Sequence, residues 1–526
     1  MSTPSWRIAV PAGVALLLPL VFLHRPVHVD EANFLRLAEG ARLDAWRPHE
    51  VLINWQGVTE RAFGVLSNPP GIAWWLAPLA EAALPLQRLA MLPWLLLALW
   101  GFHVLGRRFA GDGPRALAVL ASAPIVLWAS SSLTPDLPLL ALLCAGLGGY
   151  VEAQDRGRPA RAAFFAFLVG CAFLFRYSAL ALFPLLLLYP HRGRGALAPA
   201  IFVLLPPLLL FGHDLHAYGH LHFLAMSGFQ SVAETPRDLF RKLVSLVCML
   251  GGAGLLPIFV LGGGRAALAG AIVGGLLGLS GVALSGIAFL PALLTVSFGA
   301  SGGALLLGPW GSASDSTDRD RVFLASWALL GLLFLLALRF SATRYWLPFL
   351  PAVALAWLRR RPSRPVVFAG VGLQAVLGLL LLLDDARFAE AQHALAARIA
   401  DRADALDPEA LAPRLFAGHW GWQHALERRA WRPVDEDAAL PVGALFAVAD
   451  APWPQEPGEG CLQLLLEEEA PAAWPGPRVH TADGAANLHA NVVAGHPPVE
   501  TYAPWSLSRE PLDRARLYRV CEGDPG

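Results

Sequence analysis

The stretch RPVHVDEANFLRLAEG, residues 25–40, sets an adjacent acidic pair, Asp30 and Glu31, directly behind the first apolar run of the chain, Trp6 to Leu23. Carboxylates at a bilayer interface lose hydration, so two side by side point to chemistry before packing. The run ahead of them is long enough to span with its flanks, and the bulky, polar FLHRPVHVDE that follows lacks a small-residue cleavage pattern. The pair is therefore expected where a retained first span meets its first external loop. The same acids also suit the N-cap and first turn of a helix EANFLRLAEG, and the two readings are compatible.

Composition fixes the class outward from that point. Hydrophobic residues make up 56% of the chain and charged residues 15%, and the mean hydropathy is +0.50, the profile of a polytopic membrane protein. Formal net charge is zero, which excludes the electrostatic footprint of a nucleic-acid binder. Lys242 is the single lysine, so cationic chemistry falls to arginine.

Arginine clusters at Arg107 to Arg115, Arg156 to Arg161, Arg192 to Arg194, Arg265, Arg319 to Arg321 and Arg359 to Arg364 belong on the cytoplasmic side by the positive-inside rule. Counting apolar runs between them predicts about 13 transmembrane helices: Trp6 to Leu23, Gln87 to Leu105, Arg115 to Ser131, Asp136 to Ala153, Arg161 to Phe175, Ser178 to Tyr189, Leu197 to Phe211, Lys242 to Leu261, Ala266 to Phe289, Leu290 to Leu307, Val322 to Leu338, Tyr345 to Leu358 and Pro365 to Leu383. An odd count puts the N-terminus inside and the C-terminus outside.

The expected fold is thus a multi-pass all-α integral membrane protein, residues 1–383, with a small external α/β domain at 384–526. Residues 24–71 form a large first external loop, in which Trp46, Trp55 and Phe63 suggest interfacial helices, and residues 212–241 a second. In the tail, RLFAGHWGWQHALERRAW reads as strand, turn and helix and GALFAVAD as another strand. The tail has no phosphate loop or nucleophile elbow, and Trp420, Trp422 and Trp431 read as its core, so it is expected to dock or cover. Cys144, Cys171 and Cys248 lie within spans as small apolar residues. Cys461 and Cys521 are a disulfide or two free thiols.

In their order along the chain, these features resemble the GT-C superfamily of membrane glycosyltransferases. Within it they are similar to the aminoarabinose transferases and protein O-mannosyltransferases, which use polyprenyl- or dolichyl-phosphate sugars. The early Asp-Glu of that family is matched by Asp30 and Glu31, and its Lys-Pro-Pro segment by Asn68, Pro69, Pro70 and Gly71 without the lysine. Asp136 in LTPDLPLLALL resembles a Leu-Asp-x-Pro start of a span. Arg176 in FLFRYSALALF stands where the family has Thr-Lys-Gly, and Arg344 with Tyr345 in SATRYWLPFLP matches its late basic-aromatic motif.

The resemblance implies a glycosyltransferase that moves a sugar from a polyprenyl-phosphate donor to a lipid, glycan or protein acceptor, on the external face of a bacterial inner membrane. Asp30, backed by Glu31, is then the general base. Arg176, Arg344 and Tyr345 hold the donor phosphate, where charge grows as the lipid phosphate leaves, and Asn68, Pro69, Pro70 and Asp136 shape the site. One cavity should hold Asp30 and both arginines, with the charged groups separated by a sugar's width, on the order of 5 to 12 Å. Snorkelling arginines, a helix cap at Asp136 and a plain turn at 68–71 are the bland alternatives. His213, His216, His220 and His222 are weak candidates for a divalent metal; the chemistry requires no cofactor. The competing functional reading is a polytopic lipid or sugar-lipid transporter without catalysis, which calls for ionisable groups deep inside spans or for inverted repeats.

Overall fold

Prolines and charged hinges decide where the apolar runs become helices and where they break. The computed structural model describes residues 13, 17, 19–55, 57–189, 197–230, 235–261, 263–285, 287–310, 318–458, 460–472, 476–480, 488–493 and 502–522. Among them, seven helices are long and apolar enough to cross a membrane: Leu84–Phe109, Asp136–Asp155, Ala198–Tyr218, Gly264–Ser285, Phe289–Trp310, Arg319–Ala337 and Arg364–Leu406. Gly113–Ala121 and Pro124–Ser130, bent by 75°, make an eighth if taken together. Phe368, Leu276 and Leu333 point outward from these helices, so apolar faces cover the outside of the molecule as an integral membrane protein requires.

Against about thirteen expected spans, seven or eight helices of full length are found among the described residues, with Pro159–Leu174, Tyr177–Leu188 and Leu350–Arg359 as shorter apolar helices. Proline explains the difference, because it removes a helical N–H and its ring clashes with the preceding turn. The run Arg115 to Ser131 breaks at Pro124. The run Lys242 to Leu261 is the helix Pro236–Met249, a π-turn Leu250–Gly254 and a separate turn from Pro257. The expected span Trp6 to Leu23 lies almost wholly outside the described residues. Gly264–Ser285 and Phe289–Leu307 pack backbone to backbone: a Cβ on Gly274 would sit 2.1 Å from the Gly299 carbonyl oxygen, the close approach that small residues allow between apolar helices.

The helices have two polar ends. At one, Arg108 pairs with Asp155 (2.5 Å) and Asp320 (2.8 Å), Arg107 with Glu152 (2.9 Å) and Arg359 with Asp318, while Arg360 donates to the Gly263 carbonyl at 3.3 Å. The basic clusters at 107–115, 156–161, 319–321 and 359–364 thus share one end; the cluster at 192–194 lies outside the described residues. The opposite end carries the first loop, the turn at Arg176, the turn at Arg344 and the tail.

The first loop is not purely helical. After Glu31–Leu43 it forms an antiparallel hairpin, Leu52–Trp55 with Val58–Arg61, turned at Gly57 with φ +79°, a conformation that favours glycine. The last span is also longer than expected. Arg364–Leu406 runs unbroken for 43 residues, because no glycine or proline falls between Gly378 and Pro408. The domain boundary expected at 383/384 therefore lies inside a helix, about 30 Å along from its start, where a membrane-spanning rod reaches the interface and continues into the tail.

The tail wraps a five-stranded sheet around that helix. In space the strands run Arg432–Pro433, Arg414–Ala417, Leu445–Ala449, Asp513–Cys521 and Cys461–Ala470, parallel in the first two pairings and antiparallel in the last two. Phe388, Leu395 and Ile399 of the long helix share a core with Trp420, Trp422, Trp431 and Leu517, as expected of those tryptophans. Cys461 and Cys521 are bonded, with Cα atoms 5.1 Å apart, tying the last two strands. The tail also reaches back: Phe340–Ser341 pairs with Asn491–Val493, and the first-loop hairpin bonds to it through Asn54 and Thr59 on Asp435.

Candidate functional site

Asp30 precedes the helix Glu31–Leu43, yet its side chain makes no capping hydrogen bond. Instead its carboxylate accepts from Arg344 Nη2 at 2.6 Å. The sugar-wide gap expected between base and cation is corrected to a closed ion pair. Arg344 sits in the turn Thr343–Trp346, held from the tail side by Thr343 N–H donating to the Leu488 carbonyl at 3.3 Å. Burial disfavours its charge, but Asp30, with Tyr345 and Asp136 behind it, raises the pKa above the ordinary arginine value. Arg344 Nε and Nη1 have no hydrogen-bond partner among the described residues.

The second cation is matched in the same way. Arg176 marks the turn between Pro159–Leu174 and Tyr177–Leu188, and it pairs with Asp136 through Nε (2.9 Å) and Nη2 (3.0 Å). Asp136 is buried at the first residue of its helix, and no side-chain cap is made there by Pro135 before it. The Tyr345 ring lies within cation–π range of both guanidiniums, 5.4 Å from Arg176 and 5.6 Å from Arg344. Two arginines, each balanced by one carboxylate, thus converge on one tyrosine.

A cavity of about 520 Å³ opens beside them, walled by Asn68, Asp136, Arg176, Arg344 and Tyr345, by Ser67, Ser178 and Ser227, and mostly by apolar side chains such as Leu139, Phe223, Phe334 and Leu338. Its floor is built from helix ends. Lys242, fully buried, donates to the Leu336 and Leu338 carbonyls at 2.5 Å each, so the lone lysine satisfies the last carbonyls of Arg319–Ala337. On the loop side, Pro69 and Pro70 are buried and lead into the helix Gly71–Leu76. A Cβ on Gly71 would lie 2.3 Å from the Leu174 carbonyl oxygen; the glycine lets the first loop rest on the backbone two residues before Arg176.

Glu31 does not line the cavity. It is buried and turned away, accepting from Arg25 Nη2 (2.7 Å), from Arg88 Nη1 and Nη2 (2.9 Å each) and from the His28 and Leu133 amides (3.0 Å each). Burial alone would raise its pKa, but Arg88 and Arg25 outweigh it and hold the carboxyl at about 2. Asp30 is not on the cavity wall either: the cavity holds both arginines, and Asp30 meets it only through Arg344, so the expected pair is corrected to one acid behind the wall's Arg344 and one buried against Arg25 and Arg88. Arg25 and Arg88, its partners, are not singled out by the sequence; each looks like an ordinary flanking arginine.

The second-loop histidines do not gather around one point. His213 gives one ring nitrogen to Asp214 (3.1 Å) and one to the Trp46 carbonyl (2.8 Å), and His222 contacts Tyr177 Oη (2.7 Å) and the Leu66 carbonyl (2.9 Å). His216 packs on Trp46 and His220 is exposed. Burial pushes the pKa of His222 well down and that of His49, whose ring lies tilted 4.7 Å from it, to about 4. The rings of His213, His216 and His222 stitch the second loop to the first. The ring nitrogens of His213 and His222 are engaged by separate partners, and these second-loop histidines have no shared point for an ion among the described residues.

No family model matches the chain, and no curated protein matches it significantly. Solved structures that it resembles include ArnT from Cupriavidus metallidurans bound to undecaprenyl phosphate, at 16% identity and a TM-score of 0.41 over 85% of this chain and 94% of that one. ArnT from the same organism in the apo state aligns at 17% identity and a TM-score of 0.40, over 84% of this chain and 92% of that one. The functional reading below rests on the site itself.

Proposed function

We propose that this chain is a GT-C-like membrane glycosyltransferase that moves a sugar from a polyprenyl-phosphate donor to a hydroxyl or amine of a lipid, glycan or protein acceptor. The observation that carries the reading is the meeting of Arg176, Arg344 and Tyr345 on the wall of an apolar cavity, with two Arg344 donors unfilled. A lipid phosphate needs cations at its head and apolar walls along its chain. Arginine supplies the planar fork for phosphate oxygens.

In the reaction, a donor phosphate competes with Asp30 for Arg344 and frees the carboxylate. Asp30 takes the proton of the acceptor while the acceptor's oxygen or nitrogen bonds to the anomeric carbon from the face opposite the phosphate. The carbon–oxygen bond to the phosphate breaks, its electron pair leaves on the phosphate oxygen, and the anomeric centre inverts. Arg344 and Arg176 meet the charge that grows there. Asp136 holds Arg176 in place, Glu31 fixes the loop that carries Asp30, and the tail covers the site as a lid.

The basic clusters gathered at the far end support an orientation with that end in the cytoplasm of a bacterial inner membrane and with cavity and tail outside. The buried charges Arg88, Asp384 and Asp385 lie toward the site end and not at mid-span, which favours catalysis over transport. Mass spectrometry of glycolipids and glycans with and without the gene tests the proposal. Loss of one sugar-modified species with accumulation of its polyprenyl-phosphate sugar is expected; identical profiles overturn it.

A further inference from the structure

Two residues ahead of Asp30, His28 is buried (1% side-chain exposure), its Nδ1 without a hydrogen-bond partner among the described residues and its Nε2 lying against Asp385. A neutral imidazole carries one donor and one acceptor, and leaving either unmet in a dry site is costly. Its Nε2 faces Asp385 Oδ1 at 3.2 Å, and His489 Nε2 approaches the same oxygen at 2.8 Å. One donor atom from each of the three lies within 4.8 Å of the others. They come from the start of the first loop, the middle of the long helix and the tail.

We infer that His28, Asp385 and His489 form a site for a divalent transition metal, with zinc the best match to two imidazoles and one carboxylate. Ligand bonds of about 2.0–2.2 Å at tetrahedral angles put donor atoms roughly 3.3 Å apart, near the 3.2 and 2.8 Å from the two imidazole nitrogens to Asp385 Oδ1. The surroundings fit a ligand set oriented from behind. Asp385 Oδ2 is engaged by Arg25 and by Trp128 Nε1 (3.3 Å), so Oδ1 is the oxygen turned to the imidazoles. Phe388 stands 5.1 Å from the His28 ring and Trp128 5.3 Å from that of His489, fixing both. Three protein ligands leave a fourth position for water. The metal would clamp the tail segment at 489 and the approach to Asp30 onto the long helix, a role in holding the lid and outside the transfer chemistry.

The test uses the full chain, purified in detergent, stripped with chelator and reloaded with zinc or cobalt. About one equivalent bound per chain is expected, with a raised thermal midpoint and, for cobalt, the visible bands of a tetrahedral nitrogen and oxygen site. His28→Gln and His489→Gln, which leave the Arg25–Asp385 pair intact, should each retain less than about a tenth of an equivalent; His216→Gln and His220→Gln should bind as the parent does. Since a buried variant can fail to fold, the cobalt spectrum and midpoint of the unmodified chain decide independently. No metal uptake and no shift of midpoint with zinc, cobalt, manganese or nickel overturns the inference and leaves the cluster as imidazoles packed on a buried carboxylate. Uptake lost in the His216 or His220 variants and kept in His28→Gln overturns it as well.

Discussion

Glu31→Gln keeps the shape of the side chain and removes its charge from between Arg25 and Arg88. The carboxyl is held at about 2 against an ordinary 4.5, a gap worth about 3 kcal/mol of folding stability. Breaking one side of a buried ion pair costs about 3–5 kcal/mol by an independent route, so the two figures agree. The sign follows from the depressed pKa: the stabilisation is fully present above the unfolded value near 4.5 and is lost as pH falls toward 2. At pH 7 the variant's thermal midpoint, read by tryptophan fluorescence in detergent, should drop by about 6 °C, at roughly 2 °C per kcal/mol for a large chain. The difference from the parent should shrink as pH is lowered below 4.5, because the parent then loses what the variant lacks. Donor affinity of the folded variant should stay near the parental value, since Glu31 is absent from the cavity wall. A midpoint within about 1 °C of the parent at pH 7, or a difference indifferent to pH, would refute the view of Glu31 as the anchor of the loop.

Arg344→Ala should weaken donor binding and turnover together by at least about 30-fold, the lower end of the ~2–5 kcal/mol lost on truncating a buried charged partner, and Arg344→Lys should restore only part because a point charge cannot fork onto phosphate; titration with undecaprenyl phosphate reads both. Gly71→Ala forces a Cβ toward the Leu174 carbonyl oxygen and should destabilise by about 1–3 kcal/mol, whereas Gly372→Ala, with open space around it in the long helix, should be neutral or stabilising by up to about 1 kcal/mol; thermal midpoints of the pair distinguish them. Cys461→Ser with Cys521→Ser opens a loop of 60 residues and should cost up to about 4 kcal/mol, visible as earlier proteolysis of the tail while the helical signal persists.

Much of the site is legible in the sequence because its chemistry is short-range there. Asp30, Arg176, Arg344 and Tyr345 each stand at the end of an apolar run, and charges at such positions announce themselves. What the sequence hides is pairing at a distance. Nothing in VDEA says that Asp30 meets Arg344, 314 positions on, while its neighbour turns inward to Arg25 and Arg88; adjacent residues of one turn face different surroundings. Asp136 looks like a cap and is Arg176's counter-ion. His28, Asp385 and His489 share no spacing that a linear reading detects. The span count differs for another reason: hydropathy registers apolar runs, but Pro124 and Pro257 cut them into bent or short helices. Nor does a shift to polar composition at Asp384 end a helix, since only a breaker such as Pro408 does that.

The central claim is that Arg344 holds a lipid phosphate and that Asp30, released from it, is the base. Its most direct measurement is Asp30→Asn in the purified chain, with binding of an undecaprenyl-phosphate sugar and its consumption on acceptor-containing membranes followed in parallel. Loss of the base should lower turnover by at least about 100-fold, while donor affinity stays within about 3-fold or tightens, because Arg344 no longer shares its charge with a carboxylate. Full turnover in Asp30→Asn, or a loss of donor binding that accounts for all the lost rate, would contradict the account.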